Sequence, residues 1–308
     1  MASPPDLPRR RHYGEFYQLT VAERRADRPF VAVMGNCQAE SLRILLDSSG
    51  AVDSFRLPPV HEFTAEDIAL LAPVLARADV LVSQPIRADY RELPLGTSQL
   101  AALLPPGATV LRYPVLRWDG LMPFHAIVRD PSDPSHNPPV VPYHDLRILA
   151  AAARGRAAPV DVDPGAPAFR AAAALSIAQL RTREEHHDTV RVSDHLESAP
   201  VWHTINHPSN ETLAVLAQRV LDRIAPGATV TPPADREMLG GLQAPVEHRA
   251  AAALGVSVAG REQWTAAGEP LDQPALVAAQ LAFYREHPQV VAAGLERHAE
   301  RLALLGLA

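Results

Sequence analysis

The stretch from Phe30 to Leu46, FVAVMGNCQAESLRILL, constrains the fold more than any other part of the chain. An apolar run (Phe30 to Met34) meets Gly35, Asn36, Cys37 and Gln38, and apolar residues at helical spacing follow at once. Strand, tight turn and helix in that order put the turn at the carboxyl end of a strand and the amino end of a helix. Open α/β sheets place their ligands there. Gly35 is expected to supply the positive φ such a turn often needs. The first N–H groups of the helix lack internal partners and favour an anion, and that field predicts a lowered thiol pKa for Cys37. Cys37 is the only cysteine among 308 residues. Its plain alternative role is to fill a strand–helix corner.

A chain of this length can bury a substantial core, as one large domain or two closely packed ones. The net charge of −6 argues against a nucleic-acid binder. One cysteine excludes a disulfide framework and a cysteine-based zinc site, and fits a reducing compartment. No run approaches the ~18 apolar residues of a membrane span, and the start lacks the apolar core of a signal peptide. A cytoplasmic protein is expected.

Residues 1–29 read as a loose arm, with a solvated basic run (Arg9, Arg10, Arg11) and an aromatic anchor (Tyr13, Phe16, Tyr17). Further strands are predicted at Ser54–Leu57, Val80–Val82 and Thr109–Tyr113. The helices between them start at Thr64, with Asp67 as its capping partner, and near Thr97. Pro73 predicts a kink or break near Ala72. Alternating strands and helices argue a parallel sheet. Residues 114–142 form a long, Pro- and His-rich loop. Asp145 caps a helix that ends at Gly155, and Pro167 opens an Ala-rich helix reaching His186. Leu213, Leu216, Ala217, Val220, Leu221 and Ile224 mark an amphipathic helix. Residues 225–270 are loop-rich, and 271–305 read as two helices parted near Pro288. The expected fold is therefore α/β. A small parallel-sheet, Rossmann- or flavodoxin-like subdomain (30–115) follows the arm, and a mainly helical, loop-rich remainder (116–308) packs against it.

Three turn-like stretches carry polar groups at element ends: GNCQ (35–38), SQP (83–85) and HTINHPSN (203–210). A cysteine at a helix start, a histidine from a distant loop and nearby amide or hydroxyl donors are parts of acyl-transfer chemistry. Cys37 can be a nucleophile or only line the pocket. His207 can take a proton from an acceptor, and Asn36, Gln38 and Ser83 can donate to a developing oxyanion. Each also has a structural reading: turn residues for the amides and the serine, helix entry for His207 ahead of Pro208. The group His186, His187, Asp188 and His195 reads as a solvated helix end, with no carboxylate-supported i, i+4 pair for zinc, so no metal is expected. His125 and Asp130 match an H-x-x-x-x-D spacing that thirteen histidines produce by chance. Dinucleotide, P-loop and serine-elbow motifs are absent.

GNCQ after an apolar strand, SQPI followed by Tyr90, YHD at 143–145 and TINHPSN at 204–210 together resemble the WcbI family of capsular polysaccharide biosynthesis proteins. The order and spacing of these motifs match over about residues 30–225. The resemblance implies an α/β subdomain within a mostly helical, cradle-like fold, a deep coenzyme A pocket and an acetyltransferase role on a sugar hydroxyl. By that likeness Cys37, its neighbours and His207 fall at the cofactor end, and the motif residues Gln84, Tyr143, His144 and Asn206 join the expected site. The strand–turn–helix is also distantly similar to SGNH hydrolases. Here Asn36 and Cys37 stand where those enzymes carry Asp and Ser, and the usual D-x-x-H is missing.

The reading is an acyltransferase taking an acetyl or related group from coenzyme A to a sugar-like hydroxyl. Gly35 and its turn would hold the thioester end, Arg87 and Arg112 the phosphates, and His207 would be the base. An SGNH-like esterase and a non-catalytic coenzyme A- or glycan-binding partner are the alternatives. A homo-oligomer is compatible with the chain.

Overall fold

The structure, a computed structural model, describes residues 7–20 and 24–308. They group into two compact units. One holds the residues up to Leu116 with Leu180–His195 and Ser209–Leu239, and the other holds Arg117–Gln179, Leu196–Pro208 and Gly240–Ala308.

The first unit is built on a four-stranded sheet, β1 (Phe30–Met34), β2 (Asp53–Phe55), β3 (Val80–Ser83) and β4 (Thr109–Arg112). Its spatial order is β2-β1-β3-β4 and every pairing is parallel. All of β1 is buried, the pattern of a strand covered on both faces. Phe30, Ala32 and Met34 join one core cluster with Phe55, Leu71, Leu75 and Leu81, and alternation turns Val31 and Val33 to the other face. Helix α2 (Gln38–Ser48) buries Leu42, Leu45 and Leu46 and packs on α7 (Asn210–Ile224), whose buried stripe is Leu213, Leu216, Ala217, Val220 and Leu221. The predicted amphipathic pattern thus supplies a wall of this unit.

Helix α3 (Ala65–Leu75) has the predicted capping pair: the Thr64 N–H donates to Asp67 Oδ2 at 2.9 Å. The break predicted near Ala72 does not occur, and α3 runs through Pro73. A proline two residues from the end removes one N–H from the last turn and leaves the earlier ladder intact. Helix α4 (Thr97–Ala101) starts where predicted and spans little more than one turn. In the arm, α1 (Leu7–His12) precedes Tyr13, Phe16 and Tyr17, all buried in the core. Arg9 is not solely solvated: its Nη2 pairs with buried Asp67 at 2.8 Å. Met1–Asp6, with Pro4 and Pro5 of the arm, lie outside the described residues.

In the second unit the Pro- and His-rich loop is threaded by a short antiparallel pair, β5 (His125–Ala126) with β6 (His144–Asp145). Asp145 caps α5 (Leu146–Ala153), accepting from the Arg147 N–H at 2.8 Å. Helix α6 (Gly165–His187) begins two residues before Pro167 and crosses the division between the units in the chain. Helix α8 (His248–Ala253) is a short helix within the loop-rich stretch 225–270. The sequence did not reveal the small antiparallel sheet β7 (Leu242–Gln243), β8 (Thr265–Ala266), β9 (Glu269–Pro270), because two-residue strands carry no readable alternation. The stretch predicted as two helices is three: α9 (Gln273–Glu286), α10 (Pro288–Arg297) and α11 (Ala299–Leu304). Pro288 opens α10, while the further break at His298 has no proline to announce it. Helices α9 and α10 both pack on α5. No helix among the described residues is long and apolar enough to cross a membrane.

Candidate functional site

From β1 the chain steps to β2 on one side and to β3 on the other, so the sheet has a topological switch point between β1 and β3. A crevice outside the carboxyl ends of those strands is the default ligand position in this architecture. GNCQ and SQP are the residues that emerge there.

The two turns are tied to each other. Gln84 Oε1 accepts from the Asn36 N–H at 2.8 Å, and its Nε2 donates to Asn36 Oδ1 at 3.3 Å and to Gln38 Oε1 at 3.2 Å. Asn36 Oδ1 also accepts from the Gln38 N–H at 2.9 Å, satisfying an end group of α2. Gln38, fully buried, clamps Leu116 through both its N–H (3.1 Å to Oε1) and its carbonyl (2.9 Å from Nε2). Ser83 is equally buried, and its hydroxyl donates to the Gln84 carbonyl at 2.7 Å. Gln38 and Ser83 therefore spend their polar groups on holding the turns. On Asn36, with Oδ1 committed, the amide NH₂ is the group left for a ligand.

Two expectations for this turn are corrected. Gly35 does not take a positive φ. It is needed because a Cβ there would lie 2.2 Å from Tyr113 Oη and 2.8 Å from Gln84 Oε1. The Cys37 thiol is pushed up by burial rather than down, and the neighbouring N–H groups offset only part of that. Cys37 stands at the N-cap position of α2, half-buried and with no side-chain capping bond, where lost hydration of the thiolate outweighs the helix field.

Within this unit a cavity of about 760 Å³ opens at the strand ends, lined by Asn36 and Gln84 and by four basic side chains, Arg87, Arg112, His186 and His187. Its size suits an extended small-molecule ligand. Among the described residues neither Arg87 nor Arg112 is held in an ion pair, and Asp188 is the one carboxylate in the lining. The predicted phosphate-binding arginines thus share a wall with two predicted turn residues. The two histidines are exposed, as predicted for a helix end, yet they form part of this wall. The Val190 N–H donates to the Arg112 carbonyl at 3.0 Å and brings the end of α6 to the edge of β4. That join spans about eighty residues and has no local signal in the sequence. Partial desolvation in this wall, then the neighbouring charges of His186, Arg112 and Arg183, lower the His187 pKa.

The other predicted residues belong to the second unit. Tyr143 Oη donates to Asn206 Oδ1 at 2.7 Å and lies 2.9 Å from Thr204 Oγ1, and Tyr143 stacks on Trp264 at 5.4 Å. Buried His144 bonds through Nδ1 to Tyr284 Oη at 2.7 Å. These contacts anchor Tyr143, His144 and Asn206, and none of the three lines the cavity above. His207 closes a tight turn: its carbonyl accepts from the His203 N–H at 3.0 Å, and its N–H donates to Thr204 at 3.2 Å. Its Nδ1 is buried without a hydrogen-bond partner. Burial, with His203 beside it, lowers its pKa to about 4, so it is a neutral imidazole at pH 7. His125 and Asp130 do not act as a pair: His125 stacks on Trp264, and Asp130 is bound by Ser132, His136 and Gln289.

Comparison with known proteins adds a family and a fold. Residues 30–228 match the family described as polysaccharide biosynthesis enzyme WcbI. A solved structure described as native WcbI, a polysaccharide biosynthesis enzyme, without a disulfide bond between coenzyme A and one of its cysteines, is similar over 91% of this chain and 98% of its own. The TM-score is 0.74 at 19% identity, which speaks for the fold. No curated protein matches the chain.

Proposed function

The chain belongs to the WcbI family of polysaccharide biosynthesis enzymes, and from that premise we propose that it is an acyltransferase, moving an acetyl or related group from coenzyme A to a sugar-like hydroxyl. The observation that carries this reading is the cavity at the β1/β3 switch point, with Arg87, Arg112, His186 and His187 on a wall where Asp188 is the one carboxylate among the described residues. Such a wall suits a long ligand with several phosphate charges, since guanidinium groups bind phosphate oxygens through paired, charge-assisted hydrogen bonds. Coenzyme A is a ligand of that kind, and it is the molecule named with the similar solved structure.

In this reading the arginines hold the phosphates, and the Asn36 amide donates to the thioester carbonyl oxygen as charge develops on it. The acceptor hydroxyl oxygen bonds to the carbonyl carbon while a base takes its proton. The C–S bond breaks, and the coenzyme A sulfur leaves with the electron pair and is then protonated. His207, in the second unit, is proposed as the base: its imidazole is neutral at pH 7, and with a pKa of about 4 it is a weak one. The raised Cys37 pKa favours direct transfer over an acyl-enzyme, since the thiolate is the nucleophile. A cytoplasmic location, where coenzyme A is at hand, belongs to the same proposal.

The test is thiol release from acetyl-coenzyme A with and without a panel of sugars. Release that depends on a sugar, falls at least tenfold in His207→Gln and persists in Cys37→Ala supports direct transfer. Cleavage of a simple acetyl ester without coenzyme A points to the esterase instead. Tight coenzyme A binding with no turnover on any acceptor points to a binding partner.

A further inference from the structure

In the second unit the long loop brings Asp130 and His136 against His287, the residue between α9 and α10. We infer that Asp130 Oδ2, His136 Nδ1 and His287 Nδ1 form a binding site for one divalent first-row transition metal ion, of the class to which zinc belongs.

One atom from each of the three residues lies within 4.8 Å of the other two. Asp130 Oδ2 is 3.1 Å from His136 Nδ1 and 3.7 Å from His287 Nδ1. The second separation is too long for a hydrogen bond. Ligand bonds of about 2.0–2.2 Å in a tetrahedron put neighbouring donor atoms about 3.4 Å apart, and the two measured spacings bracket that value. Two imidazoles with one carboxylate select zinc and its neighbours over calcium or magnesium.

The surroundings are those of a held ligand set. The far nitrogen of His136, Nε2, faces Asp133 Oδ2 at 3.2 Å, the carboxylate–histidine arrangement that orients a metal-binding ring. Asp130 Oδ1 accepts from the Ser132 N–H at 2.8 Å and from Ser132 Oγ at 2.6 Å, leaving Oδ2 to face the two rings. His287 packs on Phe283 with ring centroids 4.5 Å apart. Gln289 Nε2 lies 3.0 Å from Asp130 Oδ2 and 3.5 Å from His287 Nδ1. Turned over, that amide would offer Oε1 as a fourth donor; otherwise water completes the shell. The Asp130 side chain is 0% exposed, whereas His136 is 43% and His287 25% exposed, so an ion has a route in from the histidine side. The sequence predicts no metal site, because these ligands are not a helical turn apart and His287 is supplied from about 150 residues downstream.

The ion would staple the 130–136 loop to the α9–α10 junction. The test is calorimetric titration of tag-free, chelator-treated protein with ZnCl₂, alongside the visible spectrum with Co²⁺. The expected result is one equivalent of Zn²⁺ bound at micromolar or lower concentration, an intense tetrahedral Co²⁺ band and a zinc-dependent rise in Tm. His136→Ala and His287→Ala should each weaken binding at least tenfold and abolish the Co²⁺ band, and Asp133→Asn should weaken it less. Should His287→Ala fail to fold, His136→Ala, in an exposed loop, carries the test. Absence of binding at millimolar Zn²⁺, or affinity unchanged in His136→Ala, overturns the proposal.

Discussion

Gln84 grips the turn after β1 from the end of β3: its Oε1 accepts from the Asn36 N–H at 2.8 Å, and its Nε2 donates to Asn36 Oδ1 at 3.3 Å. One buried amide thus fixes both turns at the switch point and sets the position of the Asn36 amide on the cavity wall. Gln84→Ala leaves the Asn36 N–H without its partner and takes one of two donors from Gln38 Oε1, at a cost of about 1–3 kcal/mol. Urea unfolding should show that loss, with weaker coenzyme A binding. Unchanged stability and affinity would mean that the turns hold themselves.

Gly35→Ala should be destabilising by about 1–3 kcal/mol, the usual cost of overfilling a packed core. Its Cβ would meet Tyr113 Oη, which is fully buried and donates to the Met34 carbonyl at 3.2 Å, so the tyrosine has nowhere to move. Gly241→Ala, with nothing within 4 Å of the added carbon, is the neutral comparison. Equal Tm values for the two variants would refute the steric account.

Much of this unit was legible before any coordinates. The run Phe30 to Met34, the Thr64–Asp67 cap and the Leu213–Leu221 stripe are local patterns, and local patterns survive folding. What escaped reading is what depends on distant partners. Gly35 owes its place to Tyr113 and Gln84 rather than to its own φ. His186 and His187 reach the cavity through the Val190–Arg112 hydrogen bond, and Asp130, His136 and His287 meet only after the second unit has folded. The Cys37 shift has the opposite sign to the sequence expectation for the same reason, since the helix start is visible in sequence and the degree of burial is not.

Alkylation of Cys37 should be slow at pH 7 and climb through pH 9 and above, because burial raises its thiol pKa. Mass spectrometry after iodoacetamide treatment across that range measures it. A rate already at its plateau at pH 7 would mean a stabilised thiolate and would revive the acyl-enzyme route. Since Cys37 is the only cysteine, a mixed disulfide with coenzyme A can form here only at Cys37. Treatment with coenzyme A disulfide should therefore add one coenzyme A to the wild type and none to Cys37→Ser, if the thiol end of the ligand reaches this turn.

Acid should destabilise the protein in a defined window. Burial holds His125, His144 and His207 at about 4 and His298 at about 3, against an ordinary value near 6.5. Between pH 6.5 and 4 the unfolded chain binds protons that the folded chain refuses, so stability is full above 6.5 and falls as pH drops through that range. Each histidine contributes a slope of up to about 1.4 kcal/mol per pH unit. Denaturant melts at pH 7.5, 6.0 and 5.0 measure it, and a flat profile would show that these imidazoles are not buried as described.

The central claim, that the cavity at the β1/β3 switch point holds coenzyme A through Arg87 and Arg112, is tested most directly by calorimetry. Coenzyme A should bind at submillimolar concentration with one site per chain, more weakly as salt is raised. Arg87→Ala and Arg112→Ala should each weaken it at least tenfold while leaving phosphate-free pantetheine unaffected. Failure of coenzyme A to bind at millimolar concentration, or binding indifferent to both substitutions, would contradict the claim.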